Sequence, residues 1–306
     1  MKNFLRKNKV TLWLCVVFIL LFTGLIVDMS YNQRQMLTDT RKESLQILAN
    51  EKAAQVNTFL ESQKEKLSII ASMTVFKEAL KDPSNEIKIE LVREEINQLK
   101  GTLPGISILT NEGIAVVGEF DLPGTDYTEH PYFVSKEEKK VAFQRYYDPQ
   151  RKADYYAIIG PVHDNQQKNK TIGIIAFDIK LDEISNLMKE TLESQANEVY
   201  LINETGLLLS GSEYISQGDK KGILVQDVKS EGAKQCLANL KKYGKDSSVK
   251  THTENVSQYL NYMGNEVFGA YAYVPDINGC VIAEKSADEI LGFAMVDYII
   301  NMFNIK

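Results

Sequence analysis

The stretch ISILTNEGIAVVGE, residues 106–119, and its echo VYLINETGLLLSGS, residues 199–212, decide the fold. Each is a run of strand-forming residues, a polar turn with a glycine, a second apolar run and a second glycine. Gly113 matches Gly206, and Gly118 matches Gly211. A turn glycine takes φ > 0 without penalty, so both copies read as β-hairpins. A second pair closes the repeat. GIIAFDIKLDEI, residues 173–184, aligns without a gap on GCVIAEKSADEI, residues 279–290. Both read as a buried strand running into a helix. Two copies of one supersecondary unit therefore lie in tandem.

Outward from these anchors, the first unit spans 102–190. It holds the hairpin strands, a short helix around 129–139, and strands at 141–147, 155–162 and 171–179. The second spans 195–290, with hairpin strands near 198–210, a helix near 231–242, and strands near 257–261, 267–274 and 280–285. Each unit predicts an antiparallel sheet of about five strands flanked by helices, an α+β class.

Upstream, residues 30–80 contain neither Pro nor Gly. Leu45, Leu48, Ala49, Ala53, Val56, Leu60, Leu67 and Ile70 trace one helical face. A helix of about 50 residues reaches about 75 Å, the length of a stalk. Dimer contacts near the membrane and packing along the chain's own units further out are both expected of it. Asp82-Pro83-Ser84-Asn85 stops it, and a second helix over 86–99 ends at Gly101 and Pro104, so 30–101 forms the helical part. Before the stalk, Val10–Val27 is an almost unbroken apolar run, about 27 Å long as a helix and close to a bilayer core. Lys2, Arg6, Lys7 and Lys9 precede it and Asp28 follows. This predicts a transmembrane helix over 10–28, with residues 1–9 in the cytoplasm and the rest outside. No small-x-small cleavage site follows the run, which speaks against a signal peptide. At the other end, 287–306 reads as an exit helix or the start of a second span. Its acids Asp288, Glu289 and Asp297 oppose insertion, each costing about 2.5–3.5 kcal/mol at the bilayer centre.

A net charge of −6 with interspersed signs gives no basic footprint, so no nucleic acid partner is expected. No nucleophile elbow, phosphate loop, dinucleotide fingerprint or zinc-protease helix occurs, and the chain does not read as an enzyme or as a holder of a cofactor. Of the cysteines, Cys15 lies in the apolar run. Cys236 and Cys280 form an even pair in an exported unit, which suggests a disulfide closing a loop of about 45 residues; two free buried thiols are the alternative. His130, His163 and His252 have no ligand spacing to them, so no metal site is expected.

Three further stretches carry a resemblance: HPYFVSKEEKK from His130, GPVHD with TIGIIAFDIKLDEI from Gly160 and Thr171, and NYMGNEVFGAYAYVPDINGCVIAEKSADEI from Asn261. With the exported position, the long helix and the two units, their order across residues 30–290 resembles the double Cache family, the tandem PAS-like sensor domains of bacterial and archaeal histidine kinases and chemoreceptors. The resemblance implies a ligand pocket in the membrane-distal first unit, lined by Tyr127, His130, Tyr132, Phe133, Arg145, Tyr146, Tyr147, Tyr155 and Asp178. Aromatic walls with a few polar groups suit a small molecule. A carboxylate takes a ligand amine and a cation takes a ligand carboxylate. Amino-acid-binding members carry Arg where this chain has His130, and Trp where it has Tyr132. An amino acid, an amine or a carboxylate thus stands open as ligand. Arg145 and Arg151 are the candidate replacement cations, with Arg151 read as solvated loop. The expected function is small-molecule sensing from the membrane, as a homodimer through the stalk. A structural or protein-binding ectodomain is the alternative.

Overall fold

The computed structural model describes residues 2–99, 101, 103–118, 123–130, 133, 142–148, 151–167, 170–189, 196–211, 226–243 and 256–291. The stalk is one helix, α1 (Lys2–Ser72), which ends earlier than its lack of Pro and Gly predicts. Met73 is extended, at φ −67° and ψ 135°, and α2 (Thr74–Lys81) sets off in a new direction. The break has a packing cause. It turns Phe76, Ala79 and Leu80 into the core, where a straight continuation of α1 would not place them. Asn85 then caps α3 (Glu86–Leu99), its side-chain oxygen accepting the Lys88 N–H at 3.2 Å.

The first sheet has strands β1 (Gly105–Thr110), β2 (Ala115–Gly118), β3 (Ala142–Asp148), β4 (Ala153–His163) and β5 (Thr171–Lys180), followed by α4 (Leu181–Lys189). Its order is β2-β1-β5-β4-β3, antiparallel throughout. The second has β6 (Glu198–Ile202), then α5 (Glu231–Tyr243), β7 (Ser257–Leu260), β8 (Glu266–Val274) and β9 (Gly279–Ser286), in the order β6-β9-β8-β7. The second sheet has four strands among the described residues. The expected second hairpin strand is reduced to bridges at Leu207 and Leu208. In both sheets the last strand sits centrally, between the first strand and its own hairpin partner. Gly113 and Gly206 both take φ +87°, as the repeated turns require.

The apolar stripe of α1 is buried from Leu45 to Ile70 and packs against both sheets in one continuous core. Polar side chains of the same helix lock the two units to it. Lys52 is fully buried; its Nζ donates to the Leu187 carbonyl at the end of α4 at 2.6 Å and to Gln55 at 3.2 Å. Arg41 donates to the carbonyls of Glu289 and Ile290 at 3.1 and 2.8 Å. Gln46 donates to the Tyr271 carbonyl, and Lys64 pairs with Asp276 at 2.8 Å. The main chain continues as helix from Ala287 to Leu291, the start of the expected exit helix; 292–306 lie outside the described residues. Among the described residues no helix is long and apolar enough to cross a membrane. Val10–Val27 is helical, but only Phe18, Leu21 and Gly24 of that run have described side chains.

Cys236 of α5 and Cys280 of β9 are joined in a disulfide, both fully buried. Its 44-residue separation makes the constraint on the unfolded chain large. Reduction under native conditions is expected to cost about 2–4 kcal/mol, read as a fall in Tm of the full chain in detergent of several degrees. An unchanged Tm after verified reduction would show that the bridge adds nothing to the second unit.

Candidate functional site

Strand alternation divides the first sheet into two chemistries. Ile158, Phe177 and Ile179 face α1. Tyr155, Ala157, Ile159, Ile174 and Ala176 form a separate cluster on the opposite face, which also carries Asp178. The register sets the floor of this face. Asp178 lies between Gly105 of β1 and Ala157 of β4, and Ala176 lies between Ser107 and Ile159. The cross-strand neighbours of the acid are thus both small, Gly105 and Ala157, which lets a side chain from a neighbouring turn reach it.

Tyrosines wall the floor. Tyr146 and Tyr155 are cross-strand partners with stacked rings, 5.6 Å apart at 22°. His130 meets Tyr146 edge-on at 4.8 Å, and Tyr127 meets His130 at 4.9 Å. Phe133 lies over Gly113; a Cβ there would come within 3.0 Å of its ring.

The cation of the site is Arg151, in the turn between β3 and β4. Its backbone N–H and its Nε both bond the Asp148 carboxylate. Nη2 donates to the Tyr146 hydroxyl at 2.8 Å and to Asp178 Oδ2 at 2.9 Å. The guanidinium rests 4.1 Å above the Tyr155 ring. Burial works against the charge of Arg151, but the Asp148 hydrogen bond and the Asp178 charge outweigh it and hold its pKa above the ordinary value. The arrangement is a charged pair, nearly dry on the Asp178 side, bracketed by aromatic faces.

The structure brings Tyr127, His130, Phe133, Tyr146, Tyr155 and Asp178 together. It does not bring Arg145 and Tyr147 to them. Both alternate with Tyr146 along β3 and so point to the other face, where Arg145 pairs in register with Tyr156 and Tyr147 is 41% exposed. Tyr132 lies outside the described residues. Arg151, a candidate cation in the sequence though read as solvated loop, is instead partly buried and paired with Asp178. Its signal was the i, i+3 spacing to Asp148 in a tight turn flanked by Tyr146 and Tyr155. Among the described residues no three His, Cys, Asp or Glu side chains gather as a metal site. A separate cleft of about 280 Å³, lined by Arg93, Ile96, Asn97, Leu103, Ile106 and Val117, opens on the helix side of the same sheet.

A family model described as Cache domain matches residues 33–293. Solved structures with a similar fold include the ligand-binding domain of the Pseudomonas aeruginosa amino acid chemoreceptor PctB in complex with L-Arg. It is 14% identical with a TM-score of 0.58, over 85% of this chain and 93% of that one. The ligand-binding domain of the Pseudomonas fluorescens chemoreceptor CtaA with L-serine is 14% identical, TM-score 0.54, over 81% and 97%. The sensor domain of the V. cholerae histidine kinase DctB is 10% identical, TM-score 0.57, over 83% and 98%. No curated protein matches the chain.

The Arg151–Asp178 pair generates a stability prediction. Arg151→Met leaves the Asp178 carboxylate buried without its charge partner and is expected to cost about 3 kcal/mol. The double variant Arg151→Met/Asp178→Asn is expected to recover a large part of that loss in thermal unfolding. Additive losses would mean that the two side chains are not coupled.

Proposed function

The chain belongs to the Cache-domain family, and we propose that it is the extracytoplasmic small-molecule sensing module of a signal-transduction receptor of the histidine kinase or chemoreceptor type. The observation that carries this is the Arg151–Asp178 pair on a floor of small residues between tyrosine walls. A cation and an anion side by side complement a ligand with both charges. An α-amino acid has them, its carboxylate directed at Arg151 and its ammonium at Asp178. Arg151 thereby does the work expected of an arginine at the position of His130. The similar folds of PctB with L-Arg and CtaA with L-serine support the same ligand class.

The anchor and the output belong to the proposal. The helical Val10–Val27 run follows four cations, and its Phe18 and Leu21 are 68% and 65% exposed, as suits side chains meeting lipid. The N-terminus then lies in the cytoplasm and both units outside. Met36, Ile47 and Ile69 are exposed on α1 at multiples of eleven residues, hence along one face turned from the core. That face supports a homodimer through the stalk. Ligand closure on the distal floor shifts β5 and α4, and Lys52 couples the end of α4 to α1. The rival reading, a structural ectodomain without a ligand, has one observation in its favour: Arg151 already satisfies Asp178.

The test is a thermal-shift screen of the full chain in detergent against amino acids, amines, carboxylates and purines. A ligand at 100 times its Kd adds about 2.7 kcal/mol and raises Tm by a few degrees. The expected outcome is an amino-acid hit that disappears in Asp178→Ala and Arg151→Met but persists in Arg145→Met. A flat screen favours the structural reading, and a hit insensitive to Asp178 removes the site from this face.

A further inference from the structure

The membrane-proximal unit has its own buried acid where the distal unit has Asp178. Glu284 of β9 aligns with Asp178 in the repeat, and the register places it between Glu198 of β6 and Gly269 of β8. Cross-strand partners point to the same face, so the Glu198 and Glu284 carboxyls share one side of the sheet. Both are buried, Glu284 completely. Where Arg151 meets the distal acid, tyrosine hydroxyls meet this one. Tyr200 and Tyr259 donate to Glu284 Oε1 at 2.8 and 2.9 Å, and Tyr262 donates to both oxygens of Glu198 at 3.0 Å.

The other oxygen of Glu284, Oε2, is buried with no hydrogen-bond partner among the described residues, and so is Nδ2 of Asn261. Among the described residues, the titratable groups facing Glu284 are Glu198 and Tyr200 from β6, Tyr259 from β7, Tyr262 from the β7–β8 turn and Tyr271 from β8. From the segment before α5, Ser230 acts on Tyr200, while Asp227 is paired with the exposed Lys229. Among the described residues, none of the groups hydrogen-bonded to Glu284 is a cation. Ionising a carboxyl in this setting buries a charge with one oxygen unsolvated and a second carboxyl across the strand, which costs far more than burying the neutral acid.

Tyr259 ties this acid to the packing of the unit. Its ring occupies the space above Gly269, and a Cβ at Gly269 or at Gly232 of α5 would overlap it. Its hydroxyl is thus held between the sheet and α5 by the acceptor oxygen of Glu284. We propose that Glu284 is kept protonated at neutral pH and that its ionisation in alkaline medium, by burying a charge with no cation among the described residues to answer it, destabilises the packing of the proximal unit and makes that unit a proton-responsive switch distinct from the distal ligand site.

The sign follows from burial, which raises the Glu284 pKa against the hydrogen bonds of Tyr200 and Tyr259 and the nearby Asn261 amide. A carboxyl with a raised folded pKa contributes stability that is full below its unfolded pKa and lost as pH rises through the folded value. The test is Tm of the full chain in detergent, without ligand, from about pH 5 to about pH 9. Glu284→Gln keeps the neutral form at every pH. Its Tm is expected to match wild type at the acid end and exceed it by a few degrees at the alkaline end. A wild-type-minus-variant difference that does not change with pH overturns the proposal. If the Gln variant does not fold, Tyr259→Phe serves instead. Removing a donor that favours the charged form moves the alkaline loss to higher pH, and an unmoved profile overturns the proposal.

Discussion

Both sheets are closed by the same stripe of apolar side chains. Leu45, Leu48, Ala49, Ala53, Val56 and Leu60, with Leu67 and Ile70, lie along one face of α1, and each sheet buries its inner face against that helix. An antiparallel sheet with one apolar face has no independent solution and must be covered. Here one helix covers two sheets, so movement of either sheet is felt by the same element. The buried Lys52 fits this constraint. Its charge is tolerated because Nζ meets a carbonyl at the C-terminal end of α4, where the helix dipole is negative. Arg41 makes the same kind of contact to the helix that follows β9, eleven residues closer to the N-terminus.

With one face of each sheet committed to α1, polar chemistry is confined to the other. The two units share a topology, and their central strands bring an acid to the same register position. They diverge in what answers that acid. In the first unit a turn residue, Arg151, reaches in from the β3–β4 connection and pairs with the acid through its guanidinium. In the proximal unit tyrosine hydroxyls answer it, and the ring of Tyr259 fills the space over Gly269. One fold thus yields an acid answered by a cation in one copy and an acid answered by tyrosine hydroxyls in the other.

Much of this was legible in the chain. The two glycine turns, the gapless 173–184 and 279–290 alignment, the buried stripe of α1 and the Cys236–Cys280 pair all follow from short-range pattern or composition. The stalk's break at Met73 was not, because no Pro or Gly marks it; tertiary packing of Phe76 and Leu80 overrides local propensity. In the site, the family resemblance points to the first unit, but a cluster of tyrosines does not say which face each occupies. Tyr146 and Tyr147 are adjacent and lie on opposite faces, and the same period of two sends Arg145 away. Arg151 reads as solvated loop because a turn residue has no periodicity; only the fold shows that the turn bends back over Asp178.

The central claim is that the polar face of the distal sheet, at Arg151 and Asp178, is where a small molecule enters. A crystal structure of the full chain grown with the amino-acid mixture tests it most directly. The account predicts density for a zwitterion between the Arg151 guanidinium and the Asp178 carboxylate, beneath the Tyr146 and Tyr155 rings. Density instead in the Arg93 cleft on the helix side of the sheet, with the Arg151–Asp178 contact unchanged, would contradict it.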